Sequence, residues 1–240
     1  MKDTLRLSGP KPKMIAHCGV SGLELENTSS AFVAAGNRSY FGIETDVHRT
    51  ADGKYIIIHD DDTKRVSGDE MSVENSTFAS LRSIVLMDMD GQKSRKDLIL
   101  PSLEEYISIC QKYEKEAVLE LKNHLSAEAI GEIVAIIRGI GWLEHTTFIS
   151  FDLPNVICVR HLLPEARVQF LIVHQTDWLV DTLKRNRLDL DIFYKYVTPE
   201  LVKELHENGL EVNVWTVDTI EEAQRMVDYG VDYITSNIVE

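Results

Sequence analysis

The sequence predicts a (β/α)8 TIM barrel with a small insertion after the second strand. Three observations carry that reading. Eight short apolar or alternating segments are separated by candidate helices over 240 residues, a rhythm that suits a closed parallel barrel better than an open sheet. No GxGxxG run follows the first strand, so the main signature of a dinucleotide-binding sheet is missing. His17, Glu44, Asp46, Glu120, Lys122 and Trp215 all fall near the C-terminal ends of candidate strands, the rim at which such barrels place their chemistry.

The polar leader from Met1 to Lys13 carries Pro10 and Pro12 and gives way to a brief buried strand ending at His17, stopped by Cys18-Gly19. Glu26 to Ala35 reads as a helix opened by an Asn or Thr cap. The next strand alternates. Ile43, Thr45 and Val47 take one face, and Glu44, Asp46 and His48 the other. Asp52-Gly53 is a hairpin turn signal. The apolar run from Tyr55 to Ile58, expected as the second arm of a protruding hairpin, delivers His59-Asp60.

Periodicity fades between Asp61 and Pro101, where a short helix over Phe78 to Val85 and a charged loop at 90–97 are the only signals. Residues 60–100 are therefore read as the insertion. Regular alternation then returns. Ser102 caps a helix running from Leu103 to about Lys112, with Glu105 placed for a capping box. Strands are expected at 117–122, 147–151, 167–173, 191–194, 211–217 and 231–234, with helices at 126–140, 156–162, 178–184, 199–209 and 219–230 between them. All of residues 1–240 read as one domain.

The apolar and charged fractions, 44% and 27%, are those of an ordinary globular chain. A formal net charge of -14 argues against nucleic acid or an anionic membrane as a partner. An anionic substrate stays possible, because a divalent cation reverses the local sign. Cys18, Cys110 and Cys158 are odd in number and widely spaced, neither a disulfide framework nor a zinc site. The leader lacks the apolar core of a signal peptide and no run reaches membrane-spanning length, so a reducing cytoplasm and no stable membrane association are expected. The oligomeric state is left open.

Glu44, Asp46 and Glu120 supply hard oxygen ligands suited to Mg²⁺ or Ca²⁺. Two histidines flanking such an ion, His17 and His59, can serve in turn as base and acid. Lys122 and the ion would neutralise charge on a phosphoryl or similar oxyanion. The remaining histidines, His48, His124, His145, His161, His174 and His206, belong to no motif and read as surface or packing residues.

The runs Ile15-Ala16-His17-Cys18-Gly19, Glu26-Asn27-Thr28, Glu44-Thr45-Asp46-Val47, Asp52-Gly53, His59-Asp60 and Glu120-Leu121-Lys122 resemble, in order and spacing, the glycerophosphodiester phosphodiesterases, and Trp215-Thr216-Val217 echoes that family's late aromatic motif. The resemblance implies a TIM barrel and an enzyme that hydrolyses glycerophosphodiesters to glycerol 3-phosphate and an alcohol. It implies His17 and His59 as the acid–base pair, Glu44, Asp46 and Glu120 as ligands of a divalent metal, Lys122 as a phosphate contact and Trp215 as a wall of the alcohol pocket. Cys18 stands in the substrate-binding position where the family carries an arginine, and Leu25 replaces its usual proline. A thiol offers no fixed charge and no bidentate fork. Losing one such transition-state donor costs roughly 3 kcal/mol. Two alternatives follow from that family pattern: a phospholipase-D-like lyase on lysophospholipids, and a weakly active or non-catalytic phosphodiester-binding barrel. A covalent role for the Cys18 thiol has no visible base–orienter pair to support it.

Overall fold

Runs of β-branched and aliphatic residues bounded by caps and turns form elements that alternate between strand and helix, except where two strands and then three helices follow in succession. In the computed structural model, which describes residues 3–240, they are β1 (Lys13–Ala16), α1 (Ser29–Gly36), β2 (Gly42–Arg49), β3 (Tyr55–Ile57), α2 (Lys64–Ser67), α3 (Phe78–Arg82) and α4 (Leu103–Lys112). After them come β4 (Glu116–Leu121), α5 (Ala127–Ile140), β5 (Thr146–Ser150), α6 (Leu153–Leu162), β6 (Arg167–Ile172) and α7 (Leu179–Asn186). The chain closes with β7 (Asp189–Phe193), α8 (Pro199–Glu207), β8 (Val212–Trp215), α9 (Ile220–Tyr229) and β9 (Tyr233–Ser236). Met1 and Lys2 of the expected leader lie outside the described residues.

Eight strands pair in parallel in the order β1-β2-β4-β5-β6-β7-β8-β9, and β9 returns to β1, so the sheet is a closed (β/α)8 barrel. Strand alternation divides the side chains into two sets. Ile43, Val47, Leu119, Phe148, Val168, Leu190 and Val214 point outward and share the main core with helix residues such as Phe32, Tyr106, Ile133 and Leu205. Ile15, Val118, Ile149, Leu171 and Tyr233 form a smaller cluster inside the barrel. Beneath it, the N-terminal mouth is closed by polar contacts. Arg167 grips Glu116 at 2.6 Å, and Lys13 donates to the Tyr233 hydroxyl, which donates to Glu211. The upper interior is left to the polar residues discussed below.

Both chain ends strap this barrel. Leu5 pairs in parallel with Val239, while the Glu240 carboxylate accepts from Thr4 Oγ1 and from the Ser39 backbone N–H. The expected capping box is present: Ser102 accepts from the Glu105 N–H, and the Glu105 carboxylate accepts from the Ser102 N–H at 2.8 Å.

Three sequence expectations need correction. The arm at residues 54–58 does not protrude. As β3 it pairs antiparallel with β2 and is buried, because Ile56 and Ile58 face a second apolar cluster with Val66, Val73, Leu81, Ile84, Leu86, Leu98 and Leu100. The insertion thus has a core of its own, and α2 inside it gave no periodic signal. The helix expected over Phe78 to Val85 stops at Arg82, where Ser83 takes the cap. The helix expected from Glu26 begins at Ser29, with Thr28 as its cap, and that frees Asn27 for another role.

Candidate active site

The inward face of β2 delivers Glu44 and Asp46, and that of β4 delivers Glu120. Strand register places Asp46 directly beside Glu120. Oxygens of the three buried carboxylates lie within 4.8 Å of one another. Lys122 follows on the same face, with Nζ 3.0 Å from Glu120 Oε1 and 3.3 Å from Asp46 Oδ1. Burial works against the charge on Lys122, but the two carboxylates outweigh it and hold the ammonium above the ordinary lysine range. Burial and then the Asp46 charge push Glu44 up to about 7, and the same two causes drive Glu120 well above its usual range. Asp46 goes the other way. Burial opposes its charge, yet Lys122, His59 and the Asn27 amide together keep it ionised. Asp46 Oδ1 is buried and accepts no hydrogen bond among the described residues. Such an acidic group, three buried carboxylates with only the Lys122 ammonium beside Asp46 Oδ1, fits a divalent cation.

The two imidazoles line one cavity with Glu44 and Glu120 of this group. His17, just past β1, brings Nε2 to 3.9 Å from Glu44 Oε2. Its Nδ1 lies 2.8 Å from Asn237 Oδ1. The Asn237 amide donates to Asp218 at 2.6 Å, which fixes its oxygen toward the ring, so Nδ1 carries the proton and Nε2 is left free. His59, at the exit of β3, has Nδ1 2.7 Å from Asp60 Oδ1. Asp60 is held by Arg65, whose hydrogen bonds bring its carboxyl down to about 2, and the same guanidinium forks Glu26 at 2.7 and 2.8 Å. An ionised Asp60 makes Nδ1 of His59 the donor as well. Both rings therefore present Nε2. His17 Nε2 lies among the carboxylates, and His17, Glu44, His59 and Glu120 line one cavity with Ile149, Phe151, Leu171, Asp191, Trp215 and Thr235.

A model of the glycerophosphoryl diester phosphodiesterase family matches residues 17–240, from the first of these histidines to the end of the chain. The chain belongs to this family. A glycerophosphodiester phosphodiesterase of Caldanaerobacter subterraneus subsp. tengcongensis is 29% identical over 233 residues, 95% of this chain and 94% of that one. The crystal structure of a glycerophosphodiester phosphodiesterase from Parabacteroides distasonis superposes with a TM-score of 0.79 at 28% identity, covering 98% of this chain and 94% of the other. An Oleispira antarctica phosphodiesterase, solved in complex with sn-glycerol-3-phosphate, shares the fold with a TM-score of 0.83 at 23% identity over 95% and 93% of the two chains.

Among glycerophosphodiester phosphodiesterase motifs, the departure at Cys18 has a specific setting here. Cys18 adopts φ 50° and is buried, and its backbone N–H donates to Glu44 Oε2 at 2.8 Å. Its sulfur sits 3.5 Å from Asp46 Oδ2 and 3.8 Å from His17 Nε2, and Cys18 does not line the cavity. Burial and then the Glu44 charge push the thiol well above its usual range, which leaves no thiolate for covalent chemistry. Asn27, with φ 52°, reaches across to donate to Asp46 Oδ2 at 2.7 Å while accepting from Thr45 Oγ1. Trp215 packs edge-on against Phe151, with ring centroids 5.6 Å apart, and leans on Phe193 at 5.4 Å, forming the aromatic wall of the cavity.

Sequence reasoning did not single out Asn27, Asn237, Asp218, Arg65 or Asp191. Asn27 stood in the Glu26-Asn27-Thr28 run without a role assigned to it, and asparagine tolerates the left-handed conformation found here. The acidic alternation Asp189-Asp191 inside an otherwise apolar strand was the other available signal.

Proposed function

We propose that this chain hydrolyses glycerophosphodiesters to glycerol 3-phosphate and an alcohol in a metal-dependent reaction, with His17 and His59 as the acid–base pair. The observation that carries this reading is the pairing of two imidazoles, each with Nδ1 engaged by a fixed acceptor, around one cavity floored by three carboxylates. Glu44, Asp46 and Glu120 would hold Mg²⁺ or Ca²⁺, whose chemistry when bound is to neutralise negative charge on the phosphoryl oxygens. One imidazole takes the proton of an attacking glycerol hydroxyl while the other gives a proton to the departing alcohol oxygen, which forms a cyclic glycerol phosphate. Water, deprotonated by the second imidazole, then opens that ring as the first returns its proton, giving glycerol 3-phosphate. Lys122 adds a second positive charge beside the phosphoryl group. Trp215 walls the alcohol side, and the Cys18 backbone N–H orients Glu44, leaving the family's arginine function at this position unfilled. Residues 1–240 act as one catalytic domain in this reading, with residues 60–100 as a wall around His59, working on a small-molecule substrate in a reducing cytoplasm.

A specific observation favours a second reading, the lyase acting on lysophospholipids. Phe151, Val173, Trp178 and Tyr196 follow β5, β6 and β7, Val173 and Trp178 in one loop, and all are exposed past the C-terminal ends of these strands. Such a rim suits the acyl chain that a lysophospholipid carries on its glycerol. One experiment addresses both readings. Incubation with glycerophosphocholine and with lysophosphatidylcholine, followed by phosphorus NMR, is expected to give glycerol 3-phosphate from the first, with loss of at least about 100-fold in EDTA or in His17→Ala. A cyclic phosphate accumulating only from the lysolipid favours the lyase. Full activity in chelator refutes the metal role.

A further inference from the structure

One side chain in the cavity is not accounted for by the acid–base pair, the carboxylate group or the aromatic wall. Asp191, on the inward face of β7, is 2% exposed and lines the cavity together with Thr235 between the apolar surfaces of Ile149, Leu171 and Trp215. Its Oδ1 is buried and makes no hydrogen bond among the described residues. The neighbouring polar groups are turned to one another: Asn213 donates to Gln169 at 3.2 Å and accepts from Thr235 Oγ1 at 3.2 Å. Burial, and then the charge of Glu44, drive the Asp191 carboxyl well above its ordinary range, against a smaller pull downward from the Asn213 amide that leaves Oδ1 itself without a partner.

An uncompensated buried carboxyl is costly, and its register partner on β6, Leu171, shows that an apolar side chain packs readily at this level of the barrel. Retention of the acid therefore points to a ligand that completes it. The diester bound at the carboxylates carries two free hydroxyls on its glycerol. The one next to the phosphoryl group is the nucleophile in the reading above and is assigned to the histidines. The terminal one is left for the rest of the lining, where the polar groups are Asp191, Thr235 and the unpartnered Trp215 Nε1–H, which only donates. The Thr235 hydroxyl proton is already committed to Asn213. Asp191 is left as the acceptor.

We propose that Asp191 forms the glycerol subsite: its carboxyl accepts a hydrogen bond from the terminal glycerol hydroxyl and selects glycerol diesters over diesters that lack that hydroxyl. The proposal rests on the phosphodiesterase reading above. It is tested by comparing kcat/KM for glycerophosphocholine and for 2-hydroxypropyl phosphocholine, which keeps the hydroxyl beside the phosphoryl group and lacks the terminal one, both with saturating Mg²⁺ or Ca²⁺. The native chain is expected to prefer the glycerol compound by about 10–100-fold, because the analogue leaves a buried acceptor unpaired. In Asp191→Leu the ratio is expected to collapse toward one, and in Asp191→Asn to take an intermediate value. Relief of the orphaned carboxyl is also expected to raise the melting temperature of Asp191→Leu by about 2–4 °C. Equal rates on both compounds in the native chain, or an Asp191→Asn variant that loses rate on both with the ratio unchanged, overturn the subsite and leave the phosphodiesterase reading intact. Cleavage of neither compound by the native chain overturns the phosphodiesterase reading itself, and the subsite with it.

Discussion

His59 is held by its own neighbour Asp60, but His17 is held by a partner that distance along the chain hides. His17 and Asn237 are 220 positions apart, and Asn237 is in turn oriented by Asp218. The strand-end placement of His17, Glu44, Asp46 and Glu120 was legible because alternation and barrel geometry are local rules. The orienting groups were not, because nothing local marks a residue that acts through another. Asn237→Leu isolates that contribution. The side chain touches no carboxylate of the acidic group, so KM is expected to change little. Because the Asn237 hydrogen bond is one of the contacts that hold the His17 pKa above the ordinary histidine value against burial, its loss should move the acidic limb of the kcat profile to lower pH. The fall in kcat is expected to be about 10–100-fold. An unchanged pH profile in a folded variant would show that Asn237 serves the loop alone.

At the level of elements, the caps were the most readable feature. Ser102, Ser126, Thr198 and Thr219 each accept from the backbone N–H three residues on, where their residue types place them. The burial of β3 and the existence of α2 were not legible for one physical reason. Tyr55 and Ile57 of β3 face the main core, but Ile56 of β3 and Val66 of α2 face a second one built from residues with no regular period. Ser102 lies at the junction of the two cores, since it caps α4 and also bridges to Ile56 of β3. Glu105 from the same capping box is forked by Arg82 at the end of α3. Ser102→Ala should therefore cost about 1–2 kcal/mol, at the upper end for a cap, and lower the melting temperature by about 2–6 °C. Calorimetry gives the shift. Limited proteolysis is expected to place the first new cleavage inside residues 60–100, and cleavage elsewhere would mean that the insertion does not depend on this junction.

Across the whole molecule, the interior carries an acidic excess that protons relieve and a cation would relieve at higher pH. The barrel packs Glu44, Asp46, Glu120 and Asp191 into its upper half against the single ammonium of Lys122, within a chain of net charge -14. That excess was visible in the sequence as isolated acids on strands, but its electrostatic consequence depends on the closure that brings them together. Glu44 has a folded value of about 7 against an ordinary 4.5, so the native state holds this proton more tightly than the unfolded chain does. Protonation then favours folding, and stability falls as pH rises from about 4.5 to about 7. His17, also raised, acts in the same direction, because its contribution is lost as pH climbs through its folded value. In EDTA the melting temperature is expected to be lower at pH 8 than at pH 5.5 by about 6 °C, corresponding to a loss on the order of 2 kcal/mol. Mg²⁺ or Ca²⁺ should recover that loss at pH 8 and have much less effect at pH 5.5, where protons compete for the same oxygens. Glu44→Gln should flatten the pH dependence in EDTA and weaken the response to metal. If instead the cation raises the melting temperature equally at both pH values, it binds somewhere other than these carboxylates.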